Sequence, residues 1–299
     1  MRRRFFTLDV FTTKRLAGNP LAVVLEPEGL SDAAMQAVAR EFNLSETVFV
    51  FSPADFRHRA KIRIFTPVSE LPFAGHPTVG TAVLLGRIDG GSSARDFTLE
   101  LNVGPVPCRV SPAGADAGHA VFALPRLPQD VGVPANDAAI AAALGIGADD
   151  IGFGGLRPAR WSAGAPYTIV PLRSLAAIGR CRVDLGSWDK AFGFDAHCAA
   201  YMICCDTAET GNSFHTRMFA PRQGVAEDPA TGSAAAALAG YLAAHGGYGD
   251  GEHRVRIEQG YEMGRPSLIE LTLRIAGGRL TGASIGGSAV VVSEGTIEA

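Results

Sequence analysis

This chain of 299 residues has no Cys-x-x-Cys pair, no surplus of either charge and no apolar run long enough to span a bilayer. The five cysteines, Cys108, Cys181, Cys198, Cys204 and Cys205, are odd in number and follow no ligand spacing. That suggests neither a disulfide framework nor a zinc ribbon, and the thiols read as reduced, mostly buried small apolar residues. Lysine and arginine total 27 against 30 acidic residues, a net charge of −3. Such a balance gives no electrostatic reason to bind nucleic acid or an anionic membrane. Arg2-Arg3-Arg4 is the only dense basic run, and Asp9 interrupts the apolar stretch after it too early for a signal-peptide core. With no stretch of membrane-spanning length, a cytoplasmic location is expected.

The apolar fraction of 47% and the charged fraction of 19% belong to an ordinary soluble globular protein. Length alone suggests about two domains. The sequence itself then shows a repeat. Arg63-Ile-Phe65-Thr-Pro67 followed by Gly75-His76-Pro77-Thr78-Val79-Gly80-Thr81-Ala82 is echoed by Arg217-Met-Phe219-Ala-Pro221 followed by Glu227-Asp228-Pro229-Ala230-Thr231-Gly232-Ser233-Ala234. Aligning Phe65 with Phe219 and Pro77 with Pro229 needs a two-residue deletion and sets His76 opposite Asp228. Self-similarity of this length implies two halves of similar fold.

Strands are expected over 5–11, 20–25, 47–51 and 61–65, with a helix capped by Ser31 that turns Met35, Val38 and Phe42 inward. A second helix follows His76-Pro77 and closes at Gly86. After a Gly/Ala/Pro-rich region around 111–118 come strands near 119–124, 167–171, 198–205 and 213–219, and helices near 136–144 and 188–193. Further strands are expected at 255–257, 268–275 and 289–292. The helix after Asp228 is rich in alanine and glycine, which implies close packing on every side. Helices are too few for a parallel doubly wound sheet. The expected fold is α+β, in two pseudo-equivalent lobes that are each a curled, largely antiparallel sheet around one long helix. The expected boundaries are 1–117, joined by the C-terminal strand at about 286–299, and 118–285, with the active site in the cleft between the lobes.

In both copies a proline follows the pivot residue at the expected first helical position, making His76 and Asp228 N-caps or nearly so. Two lobes facing each other would bring two helix N-termini, with their unpaired N–H groups, onto one bound anion. Such donors stabilise the charge that develops when a proton leaves carbon beside a carboxylate. Gly75 and Gly232 let substrate approach the backbone. Glu46, at the mouth of a strand on the face of Val48 and Val50, is a candidate general base, since desolvation raises a carboxyl pKa. Arg63 and Arg217, on matched strands, either attract an anion or form surface and sheet-edge salt bridges.

Together these segments resemble the PhzF-like isomerase family. The resemblance rests on Gly18-Asn19-Pro20-Leu-Ala-Val-Val24, Asn43-Leu-Ser-Glu46-Thr47, Phe65-Thr-Pro67, Glu70-Leu-Pro-Phe-Ala-Gly75-His76-Pro-Thr78 and Asp228-Pro-Ala-Thr-Gly232-Ser233-Ala234, in that order. It implies the fold of diaminopimelate epimerase, no cofactor or metal, a homodimer, and a C-terminal strand that returns to the first lobe. The two catalytic cysteines of that epimerase match Gly75 and Asp228 here, so a two-thiol mechanism is lost. The resemblance implies that Glu46 shuttles a proton between carbons of a small amino or hydroxy carboxylate, as in trans-2,3-dihydro-3-hydroxyanthranilate isomerisation. His76 and Asp228 would orient the substrate and assist proton movement. Ser233 and the backbone at Gly75 and Gly232 would hold the carboxylate, and Asn19 would line the cleft or fix the turn beside it. Two other readings stay open: metal-assisted hydrolysis through His76, Asp228 and Glu46, which no HExxH-like spacing supports, and a binding protein without turnover.

Overall fold

The computed structural model describes residues 1–114, 116–193 and 199–299. Cys198, the first residue of the strand expected over 198–205, lies outside them, as does residue 115 in the Gly/Ala/Pro-rich region. The chain divides into two compact units, residues 1–125 with 285–299, and residues 126–284.

The first unit begins with β1 (Arg2–Val10) and β2 (Asn19–Leu25), an antiparallel pair in which Val10 faces Asn19. α1 (Asp32–Phe42) starts where Ser31 accepts the Ala34 N–H and ends at Asn43, whose φ of 50° gives a left-handed cap. It lays Met35 and Val38 on Val24, Phe49 and Phe65. Next come β3 (Glu46–Phe51), β4 (Ala60–Phe65), the short β5 (Glu70–Leu71), α2 (Gly75–Ile88), β6 (Arg95–Leu101), β7 (Gly104–Pro112) and β8 (Ala117–Ala123). The C-terminal strand returns to this unit, pairing Ala289 to Glu298 antiparallel with β1. Its other neighbour here is β8, so the pairings β1–β2–β3–β4–β6–β7–β8 close on themselves through it. Closure leaves no free sheet edge along that circuit.

α2 packs against β1, β2, β3, β7 and β8, and every residue from Gly75 to Leu85 is buried. A helix enclosed on all sides must be apolar or small nearly all round, which this sequence is apart from His76. Gly80 is where it passes closest to the sheet: a Cβ there would lie 2.6 Å from Leu21 Cδ2 and 2.7 Å from Val10 Cγ2. Gly86 does not end the helix as expected. It sits inside α2 against Val110 Cγ1, and the helix continues to Ile88.

The second unit contains β9 (Gln129–Asp130), α3 (Asp137–Leu144), β10 (Ala159–Ser162), β11 (Pro166–Pro171), α4 (Leu175–Arg180), α5 (Leu185–Phe192), β12 (Ala199–Cys204), β13 (Phe214–Ala220), β14 (Val225–Asp228), α6 (Gly232–His245), β15 (Gly251–Gln259) and β16 (Ser267–Ala276). The last strand, β17 (Arg279–Glu298), contains the unit boundary at Ile285. α3, α4 and α5 cover one face of the sheet through Ile140, Leu144, Ile178, Trp188 and Phe192, which meet Val170, Met202 and Phe219. α6 packs against β9, β10, β11 and β16.

The pairing pattern of one unit is that of the other. β2–β3 and β11–β12 are parallel, β3–β4 and β12–β13 antiparallel, β4–β6 and β13–β15 parallel, β6–β7 and β15–β16 antiparallel. The protein is therefore α+β, with the same sheet-and-helix plan used twice. Two further details differ from expectation. The strand Ala117–Ala123, expected to open the second lobe, lies in the first unit, because its partner β7 is there. α4 carried too short an apolar period to be read from sequence.

Candidate active site

In the first unit Glu46 is the first residue of β3, paired across a parallel register with Leu21 of β2. His76 is the second residue of α2, and its Nε2 lies 3.4 Å from Glu46 Oε2. The imidazole side chain is 5% exposed and the carboxylate 15%, so this contact is largely screened from water. Burial pushes His76 down to about 3, partly offset by a hydrogen bond to the Pro20 backbone. The ring is thus neutral at physiological pH. Proline has no N–H, so the ring donates to its carbonyl. Nε2 makes no hydrogen bond, which assigns the donated proton to Nδ1 and leaves the lone pair of Nε2 facing Glu46. A carboxyl that has just taken a proton therefore meets an acceptor. Asn19 is fully buried at the start of β2, after Gly18, whose φ of +65° brings the turn against the Val10 carbonyl. That turn positions Pro20, and through it His76.

In the second unit Asp228 ends β14, and α6 starts at Gly232 with Thr231 as its N-cap residue. Asp228 is thus not the cap. Its Oδ2 accepts the Thr231 hydroxyl at 2.6 Å. Ser233, the second residue of α6, shares a 2.7 Å hydrogen bond with the Tyr167 hydroxyl. Gly75 and Gly232 are both buried first residues of their helices, where N–H groups lack intrahelical acceptors.

Strand register corrects the alignment of the two copies. Phe65 pairs with Thr47 and Phe219 with Ala200, so Phe65 and Phe219 correspond. Ile64 then pairs with Leu71 where Met218 pairs with Asp228. Asp228 therefore corresponds to Leu71, Glu227 to Glu70, Gly232 to Gly75 and Ser233 to His76. Pro77, three residues into α2, has no equivalent in Pro229, which precedes α6. The connection after Phe219 is longer, making a 3₁₀ turn at Pro221–Gln223. That extra length disguised the match.

The corrected repeat also accounts for the arginines. Arg63 grips Glu70 at 2.8 and 2.6 Å and lies over Phe65. Arg217 grips Glu227 at 2.7 and 2.8 Å and lies over Phe219. These are structural ion pairs, one per unit, that fix the short strand leading into each central helix. Arg63 also holds Asp32, and neither guanidinium is an unneutralised anion trap. Chemistry departs from the repeat at Glu46, since the matching position, paired with Tyr167 as Glu46 is with Leu21, holds Ala199. Of these two matched positions only the one in the first unit carries a carboxylate.

Sequence reasoning missed Pro20 as the acceptor for His76, Tyr167, Thr231 and Gln259. Thr231 lay inside the quoted motif and carried a signal. Gln259 reaches the motif only through the parallel pairing of β15 with β13, which no local pattern reveals. Elsewhere in the first unit a cavity of about 240 Å³ is lined by Arg87 and Arg95 at the far end of α2 from His76. Both arginines already have acidic neighbours, Asp116 and Asp89. Among the described residues no three His, Cys, Asp or Glu side chains are grouped as metal ligands. None of the described helices is long and apolar enough to cross a membrane.

The chain thus repeats one sheet-and-helix plan and carries a buried acid–imidazole contact at the start of α2. A family profile described as phenazine biosynthesis-like protein matches residues 8–295. An uncharacterized isomerase of Mesorhizobium japonicum is 50% identical over 298 residues, covering 99% of this chain and 98% of the relative. Trans-2,3-dihydro-3-hydroxyanthranilate isomerase of Pseudomonas chlororaphis is 35% identical over 294 residues, 98% of each chain. The crystal structure of a PhzF-family phenazine biosynthesis protein from Bacillus anthracis superposes with a TM-score of 0.89, at 25% identity over 100% of both chains. A hydroxyproline epimerase from Agrobacterium vitis shares the fold alone, with a TM-score of 0.62 and 12% identity over 99% of this chain and 92% of that one. This chain belongs to the phenazine biosynthesis-like family. It is an isomerase.

Proposed function

We propose that Glu46 and His76 act with Asp228 and Ser233 on one small amino or hydroxy carboxylate, without a cofactor, to move a proton from one carbon to another. The Glu46 carboxylate removes the proton, and the electron pair of the broken C–H bond spreads into the conjugated system beside the substrate carboxylate. N–H groups at Gly75 and Gly232, with the Ser233 hydroxyl, meet that developing charge. Protonated Glu46 then delivers the proton to a second carbon. Asp228 accepts a hydrogen bond from a substrate amino or hydroxyl group, and Asn19 keeps the neighbouring turn in place. The relatives named for trans-2,3-dihydro-3-hydroxyanthranilate support a substrate of that class, and a cytoplasmic homodimer belongs to the same proposal.

The observation that carries this reading is the contact between Glu46 and a buried, neutral His76. An imidazole held neutral accepts a hydrogen bond from protonated Glu46 without competing for its proton, as a group that must return that proton requires. The test is Glu46→Gln, followed by circular dichroism and by substrate-dependent uptake of deuterium from solvent. Exchange is expected to vanish with folding intact. A Gln variant that exchanges at the wild-type rate overturns the role of Glu46.

A further inference from the structure

Asp228, Thr231 and Gln259 are 8%, 6% and 0% exposed, and they form one hydrogen-bonded unit at the entrance to α6. The Thr231 N–H donates to Gln259 Oε1 at 3.2 Å. Gln259 Nε2 donates to the Asp228 carbonyl at 2.8 Å and to Thr231 Oγ1 at 3.0 Å. The amide orientation is fixed by chemistry: flipping it would set an NH₂ group against the Thr231 N–H, two donors facing each other. Because Thr231 Oγ1 already receives a hydrogen bond, its own proton is directed elsewhere. It points to Asp228 Oδ2, 2.6 Å away. A donor at that distance stabilises the ionised carboxylate over the acid, against the desolvation that favours the acid.

We infer that Thr231 and Gln259 are positioning residues: their relay keeps Asp228 ionised as a hydrogen-bond acceptor and fixes the direction in which it faces. The inference rests on the reading of Asp228 as a substrate-facing group. Gln259 is itself set by strand register, since it lies opposite Thr216 where β15 runs parallel to β13. The relay therefore carries the geometry of the sheet into the loop that ends in Gly232. In the first unit Leu71 occupies the corresponding position, so the relay exists once, in the unit where Ala199 stands at the place of Glu46.

The test compares wild type with Thr231→Val, which keeps the shape and removes the donor, Thr231→Ser, which restores it, and Gln259→Met, which removes the amide. The Asp228 carboxylate is followed by infrared difference titration, its band assigned as the one lost in Asp228→Asn. Deuterium uptake is followed in parallel with trans-2,3-dihydro-3-hydroxyanthranilate as the probe. The Asp228 transition is expected to move to higher pH in Thr231→Val and Gln259→Met and to return in Thr231→Ser, with the acid limb of the exchange profile moving alongside. An unmoved Asp228 band in both donor-deleting variants overturns the inference, whatever the activity. A moved band with exchange unaltered, even in Asp228→Asn, upholds the relay and overturns the role of Asp228 in the proposed reaction. Gln259→Met supplies the answer should Thr231→Val fail to fold.

Discussion

Substituting His76 by glutamine is expected to remove a large part of the acid sensitivity of the first unit. Burial holds His76 at about 3 in the folded protein, against an ordinary value of 6.5. Between those pH values the unfolded chain binds a proton that the folded chain does not. Stability conferred by the neutral imidazole is present above pH 6.5 and is lost as pH falls toward 3. At 1.36 kcal/mol per pH unit, lowering the pH from 7.5 to 5 costs about 2 kcal/mol through this residue alone, and the limiting loss is about 5 kcal/mol. Glutamine keeps a donor for the Pro20 carbonyl but cannot titrate. Both tryptophans, Trp161 and Trp188, lie in the second unit, so their fluorescence reports the wrong half. Urea unfolding should be read by hydrogen exchange of the α2 amides at pH 7.5 and at pH 5. The difference between the two pH values should shrink by about 2 kcal/mol in the variant. Parallel losses in wild type and His76→Gln would show that His76 is protonated in the folded state at pH 5, and the neutral-imidazole argument would collapse.

Three further outcomes follow from the geometry. Arg217→Met is expected to cost about 3–5 kcal/mol, because Glu227 and the carbonyls of Ile178 and Cys181 lose their partner in a buried setting; Arg63→Met, on a wetter pair, should cost less in the same denaturation experiment. Gly80→Ala is expected to lower Tm, since crowding of Leu21 and Val10 at about 1–3 kcal/mol exceeds the helix-propensity gain of about 1 kcal/mol; a raised Tm would mean that the sheet yields. Burial opposes charge on His215, but Glu262 and Glu258, bound to its two ring nitrogens, outweigh it and raise its pKa. Its stabilisation is therefore present below the unfolded value and lost as pH rises through the folded one, and His215→Gln should flatten that alkaline decline in a pH series of melting curves.

Several elements were legible because their causes are local. Ser31 and Asn43 bracket α1 by capping chemistry, and the apolar run after Glu46 fits a strand covered on both faces. Alanine and glycine in α6 announced a helix enclosed by neighbours. Gly86 misled because its reason lies across the fold, in Val110, and not in a helix end. The repeat was visible, but its register was not: proline matched proline in sequence, while strand pairing matched Gly75 with Gly232 and moved Asp228 from His76 to Leu71.

What the sequence determined by itself was therefore the inventory: two copies of one motif, a glutamate at a strand mouth, and residue types suited to moving a proton beside a carboxylate. Composition, periodicity and caps act over a few residues and need no distant partner. Tertiary structure alone decided which of those groups meet. The neutrality of His76 depends on burial inside a closed sheet, and its tautomer on a carbonyl 56 residues earlier in the chain. The environment of Asp228 depends on Gln259, brought to it by a parallel strand pairing. Both are set by long-range register, which a linear reading does not contain.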